Sequence, residues 1–160
     1  MTPQTRKVTI KYGKTARRFV VNVLEDWQKV ADALAKLIRP GSIVALSGPL
    51  GAGKTTLVQY LARTLGASSR AISPTFALMR IYRIKSSHRR TVAPSLGRGT
   101  RDVRRLVHID AYRIEDEKDL VALDLDEELL EPGTVVLIEW PENIKGWLKG
   151  KKAIRIGISM

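Results

Sequence analysis

An apolar run that breaks into a glycine-rich turn and then opens a helix is the feature that constrains this chain most. Ser42–Ser47 reads SIVALS, a continuous hydrophobic run of the kind expected when both faces of a parallel strand are buried. It is followed by Gly48-Pro49-Leu50-Gly51-Ala52-Gly53-Lys54-Thr55, which matches the Walker A pattern G-x-x-x-x-G-K-[ST]. Thr55–Leu65 carries the periodicity of a helix, and Gly66 stands where a left-handed cap is needed. Each fixed position has a physical reason. Glycines let the backbone curl until successive N–H groups point inward around phosphates. The positive end of the helix dipole is directed at the same place. Lys54 can reach the β- and γ-phosphates, and the Thr55 hydroxyl can ligate magnesium. The segment therefore predicts a site for ATP and Mg2+ built from Gly48, Leu50, Gly51, Ala52, Gly53, Lys54, Thr55 and Thr56.

The rest of the chain alternates strands and helices around this unit. Lys7–Lys11 and Arg18–Val23 read as two short strands joined by Tyr12-Gly13-Lys14, an N-terminal β-hairpin. A helix is expected over Asp26–Ile38, ended by Pro40-Gly41. Ala77–Ile84, Arg105–Asp110, Thr134–Glu139 and Ala153–Ser159 read as strands, and Glu115–Leu130 as two short helical pieces. Asn143–Leu148 reads as a short amphipathic segment. Such alternation predicts a P-loop α/β fold, a mostly parallel sheet flanked by helices. With 160 residues, 44% of them hydrophobic, one domain over 1–160 is expected.

Ligands bind outside the carboxyl ends of parallel strands, so acids at those ends become candidates. Asp110 and Glu139 each close an apolar run. A strand ending in a carboxylate there holds magnesium directly or through water, or orients the attacking water. The pattern does not say which acid takes which part. Thr75, in SPTF after the P-loop helix, stands where a switch threonine would sense the γ-phosphate, or is a loop threonine after Pro74. Trp140 directly follows Glu139 and reads first as core, with stacking on a ligand or anchoring a partner as the alternatives. His108 alternates with Asp110 on one strand and reads as a structural histidine. Arg113 is either an arginine finger or the partner of the acidic stretch after it. No NKxD-type guanine pattern is evident.

Charge is the one unusual bulk property. The net charge is +12, yet residues 106–160 hold twelve acids against seven bases. The excess sits in residues 1–18, with six bases and no acid, and in 80–105, with nine bases against Asp102. Such clusters favour polyanions or an acidic partner surface. Residues 85–103 lack apolar periodicity and predict a flexible basic insertion, a candidate contact for tRNA. No cysteine is present, which excludes disulfides and thiolate chemistry, and two histidines are too few for a histidine-rich metal site. No run approaches the roughly 18 apolar residues of a membrane span, and the N-terminus has no apolar signal core. The expectation is a cytoplasmic protein without a membrane.

Taken together, GPLGAGKTT (Gly48–Thr56), SPTF (Ser73–Phe76), HIDAYR (His108–Arg113) and IEWPE (Ile138–Glu142) resemble the bacterial TsaE (YjeE) family over residues 20–158. That family is the ATPase component of the machinery that makes threonylcarbamoyladenosine beside the anticodon of tRNA. The resemblance implies catalytic roles for Lys54, Asp110 and Glu139. It places Thr55, Glu139 and Asp110 at the metal, Glu139 as the magnesium-linked acid and Asp110 near the γ-phosphate. It places Thr75 and Trp140 with the nucleotide-binding residues. It also implies weak ATP hydrolysis and two partners, a threonylcarbamoyltransferase subunit and its paralogous companion, whose complex the hydrolysis resets.

Two departures stand out. The long 85–103 insertion replaces what is usually a short connector. The family's glycine-arginine element beyond the last strand has no counterpart before Met160, so altered nucleotide affinity or base contacts are expected. Two other functions share the motif and size: a small-molecule P-loop kinase, with the 85–105 arginines as a lid, and a nucleotide-gated RNA-binding module.

Overall fold

The computed structural model describes residues 4–74, 76–85, 100 and 102–160. Its frame is one seven-stranded sheet made of β1 (Arg6–Tyr12), β2 (Thr15–Val21), β3 (Ile43–Ser47), β4 (Met79–Arg83), β5 (Arg105–Asp110), β6 (Thr134–Glu139) and β7 (Ala153–Ser159). The strand order is β2-β1-β7-β3-β6-β5-β4. The four central strands β7, β3, β6 and β5 pair in parallel. Antiparallel pairings lie at both margins, where β1 joins β2 and β7 and where β4 joins β5. The expected hairpin is thus present and extends the sheet beside β7.

Helix α1 (Asp26–Ala35) and helix α2 (Lys54–Leu65) lie against one face. On α1, Trp27, Val30, Ala31 and Leu34 are buried, the spacing of a single helical face. On α2 the buried apolar positions are Leu57, Val58, Leu61, Ala62 and Leu65. Gly66 closes α2 with φ of 89° and donates to the Arg63 carbonyl, as its place in the sequence requires. Helix α1 stops at Ala35, three residues before the expected Ile38, and the Leu37 and Ile38 amides instead close tight turns onto Leu34 and Ala35. The acidic stretch forms a 3-10 segment, Glu117–Leu123, and helix α3, Leu125–Leu130. A 3-10 turn, Pro141–Ile144, leads into helix α4, Lys145–Leu148.

Side-chain alternation along the strands explains why the central runs are apolar throughout. Val44 and Leu46 of β3, Val135 and Leu137 of β6, and Leu106 of β5 pack toward α1 and α2. Ile43, Val136, Ile138, Val107 and Ile109 enter the core on the other face, with Ile144 and Leu148. Successive residues of a strand point to opposite faces, so a strand covered on both sides has no polar position to spare. The same parity has a consequence for the site. Leu106, His108 and Asp110 share one face of β5, and Val135, Leu137 and Glu139 share the same face of β6. The acids that end these strands therefore lie on the α2 side of the sheet.

Candidate functional site

Between β3 and α2 the chain turns through Gly48, Gly51 and Gly53, whose φ angles are 155°, 75° and 106°. Two of these glycines are required for space as well. A Cβ on Gly48 would stand 2.7 Å from the Ile158 carbonyl oxygen, and one on Gly53 would collide with the Trp27 indole. Trp27 of α1 thus packs directly beneath the start of α2. From β1, the Arg6 guanidinium reaches the Gly51 carbonyl at 3.5 Å.

The first residues of α2 meet the ends of β5 and β6. Asp110 and Glu139 are register partners in the parallel β5–β6 pair. Thr55 Oγ1 donates toward both Glu139 oxygens, 3.0 Å from Oε1 and 3.2 Å from Oε2. On the other side of that carboxylate, His108 Nε2 lies 2.8 Å from Oε1. Glu139 is 3% exposed and His108 is fully buried. His108 reads as a structural histidine, and its one side-chain hydrogen bond among the described residues goes to the candidate acid.

Asp110 is held separately. Ser73 Oγ donates to Oδ2 at 3.1 Å and the Tyr112 amide to Oδ1 at 3.1 Å. Sequence reasoning passed over Ser73 and Tyr112. Ser73 stands two residues before the favoured Thr75, and the Tyr112 contact is a backbone one with no sequence signature. Thr75 itself lies outside the described residues.

Lys54 is 5% exposed, with Nζ donating to the carbonyls of Gly48 at 2.6 Å and Pro49 at 2.9 Å. The ammonium also lies 4.0 Å from the centre of the Trp140 ring, a cation–π distance. Burial lowers the Lys54 pKa from its ordinary value, opposed by the charges of Glu139, Asp110 and Glu142. Trp140 packs against the core cluster that holds Ile109 and Ile138 and also lines the cleft described below. It is half-buried, with φ of 60°, and its ring centre lies 5.0 Å from that of Tyr112 with the planes tilted by 48°. Its backbone therefore turns the chain out of β6 while its ring forms a wall beside Lys54.

These residues line one cleft of about 350 Å³. Leu50, Gly51, Gly53, Lys54, Thr55 and Thr56 form its floor, and Ser73, Asp110, Tyr112, Arg113, Glu139 and Trp140 its walls. Arg113 lines this cleft too, with its guanidinium carbon 5.0 Å over the ring of the exposed Phe76. The polar donors to a cation are a hydroxyl and two carboxylates, all hard oxygens, which suit Mg2+ over softer metals. Among the described residues no three His, Asp or Glu side chains converge as a metal-holding group.

A glycine turn between a central parallel strand and a helix, with strand-end acids facing it, defines a P-loop nucleotide-binding protein. Residues 21–160 match the family described as threonylcarbamoyl adenosine biosynthesis protein TsaE, and the chain belongs to that family. A Streptomyces coelicolor relative, the tRNA threonylcarbamoyladenosine biosynthesis protein TsaE, is 44% identical over 110 residues, spanning 68% of this chain and 63% of the relative. The Mycobacterium leprae protein of the same name is 33% identical over 136 residues, 81% of this chain and 74% of that one. This chain thus spans less than two thirds of the Streptomyces relative's length. Among solved structures, Bacillus subtilis YdiB superposes with a TM-score of 0.59 at 25% identity, covering 96% of this chain and 76% of that one. Among the described residues no helix is long and apolar enough to cross a membrane.

Proposed function

We propose that the chain is a cytoplasmic, single-domain Mg-dependent ATPase of low intrinsic activity that serves threonylcarbamoyladenosine modification of tRNA. The observation that carries this reading is the convergence of Lys54, Thr55, Asp110 and Glu139 on one cleft at the N-terminus of α2. Gly48 and Leu50 to Thr56 wrap the phosphates with backbone N–H groups, and Lys54 turns from the Gly48 and Pro49 carbonyls to the β- and γ-phosphates. Thr55, Glu139 and Asp110 are the oxygens available to magnesium. When bound, that ion neutralises the charge that develops on the phosphates. Asp110, braced by Ser73 and Tyr112, is placed to orient water at the γ-phosphate, and Trp140 closes the site beside it.

The family and its named relatives supply the pathway. In this reading hydrolysis resets a complex of a threonylcarbamoyltransferase subunit and its paralogous companion; a tRNA contact by the basic insertion 85–103 is part of the same proposal, and residues 86–99 and 101 of it lie outside the described residues. The test is ATP turnover measured alone and across a titration with the partner pair. Slow turnover that rises with the pair is the expected result; turnover unchanged across the titration removes the pathway assignment. A chain that transfers phosphate to an alcohol acceptor in preference to water would instead be a kinase.

A further inference from the structure

The Glu139 carboxylate is held from two sides, and only one of the holders belongs to the phosphate turn. Thr55 approaches from α2, and His108 approaches from within the sheet. His108 sits in mid-strand on β5, level with Leu137 of β6 and Arg80 of β4. Its ring has no solvent exposure, and the Tyr82 ring stands beside it at 6.5 Å. Nothing in ordinary core packing calls for an imidazole there, because Leu106, two residues earlier on the same face, is a plain hydrocarbon in the same cluster. Burying a polar ring without a compensating bond costs free energy, and half of this ring is uncompensated: Nδ1 is buried and has no hydrogen-bond partner among the described residues. The other half makes one short bond, at 2.8 Å, to Oε1 of Glu139.

We infer that His108 is a positioning residue that aims the Glu139 carboxylate at the magnesium of the nucleotide site, and this rests on the Mg-ATP reading above. The Nε2–H donates to Oε1 and occupies that oxygen from the sheet side. The carboxylate can then turn neither into the core nor away from Thr55. Among the described residues Oε2 carries only the longer 3.2 Å contact to Thr55 and is the freer oxygen to face an ion or its water. Metal-binding carboxylates are commonly oriented by such outer partners, whose loss costs about 10- to 100-fold in metal affinity or activity.

The experiment compares His108→Gln, His108→Asn and His108→Leu with the wild type, using Mn2+ binding to the ADP-loaded protein by electron paramagnetic resonance. Folding is checked by circular dichroism, and ATP turnover across a Mg2+ titration is the second readout. Glutamine places its amide N–H near the position of Nε2, asparagine falls short of it, and leucine fills the space without a donor. The expected result is near-normal Mn2+ affinity in the glutamine variant and about tenfold weaker binding in the asparagine and leucine variants. ADP affinity without metal should stay unchanged in all three. If leucine fails to fold, the glutamine–asparagine pair still decides, since both are buried amides of similar polarity. Equal metal affinity in those two, or wild-type affinity in a folded leucine variant, overturns the inference and leaves the site assignment intact. A wild type whose nucleotide binding ignores metal overturns both.

Discussion

Thr55 and Glu139 are 84 residues apart in sequence, and the threonine hydroxyl stands 3.0 Å from one carboxylate oxygen and 3.2 Å from the other. The contact joins the first turn of α2 to the end of β6. In the proposed Mg-ATP reading the two share a cation, because both are hard oxygen donors.

Replacing either acid by its amide keeps the shape and removes the charge. Glu139→Gln and Asp110→Asn are expected to retain nucleotide binding and to lose turnover by on the order of a hundredfold. Single-turnover hydrolysis beside equilibrium binding of a fluorescent ATP analogue measures both. Wild-type turnover in either variant removes that residue from the reaction.

Lys54 gives a prediction of opposite sign in two conditions. Burial lowers its pKa below the ordinary 10.5, so between the folded and ordinary values the unfolded chain binds more protons. Stability then rises with pH across that window, and the cost of the buried charge is fully present below it. Without nucleotide, Lys54→Met is expected to melt at or above the wild type at pH 7, with the advantage closing as pH approaches 10.5. With ATP at a hundred times its Kd the wild type gains about 2.7 kcal/mol and the variant nothing. Scanning calorimetry with and without Mg-ATP separates the two effects.

Gly53 and Trp27 are predicted to be coupled. Gly53→Ala meets both a φ of 106° and the Trp27 indole, and is expected to cost about 2 kcal/mol. In a Trp27→Leu background the steric part is relieved and the same substitution should cost about 1 kcal/mol less. Urea unfolding of the four proteins of the cycle measures the difference, and additive costs would show that the indole does not press on the turn.

At the start of α1, the Asp26 carboxylate accepts from the amides of Asn22 and Val23 at 3.0 and 3.2 Å. Those bonds, with the one from Lys29, hold its pKa below the ordinary 3.8. The sign follows directly: the stabilisation is present above 3.8 and is lost as pH falls through the folded value. Asp26→Ala should therefore melt lower than the wild type at pH 7 and converge with it in acid, as read by thermal melts from pH 7 to pH 2.

Much of this was legible because the controlling signals are local. The Gly48–Thr55 turn, the apolar run before it and the left-handed Gly66 each follow from a few adjacent residues. So does the placing of Asp110 and Glu139, since an acid that ends a buried strand has one direction to go. What was not legible depends on which strands are neighbours. The His108–Glu139 bond exists because β5 and β6 are paired in one register, and no periodicity in either strand reports that. The residues alone leave Trp140 open among core, ligand and partner, with core first because aromatic residues after apolar strands usually are. Its φ of 60°, a backbone choice invisible in composition, is what brings its ring beside Lys54. The antiparallel β1–β7 pairing joins the two ends of the chain, the hardest relation to infer from local pattern.

The position of β3 carries one more consequence. It is the fourth of seven strands, with three on either side. Sheets fray from their margins, and amides in the middle are released only when the whole sheet opens. Deuterium should therefore enter β2 and β4 early, while the amides of β3 and β6 exchange at the rate of global unfolding. The phosphate turn grows out of the last part of the molecule to let go. Disturbance at either margin, whether from heat or from a docking partner, can be absorbed there while the floor of the cleft keeps its shape.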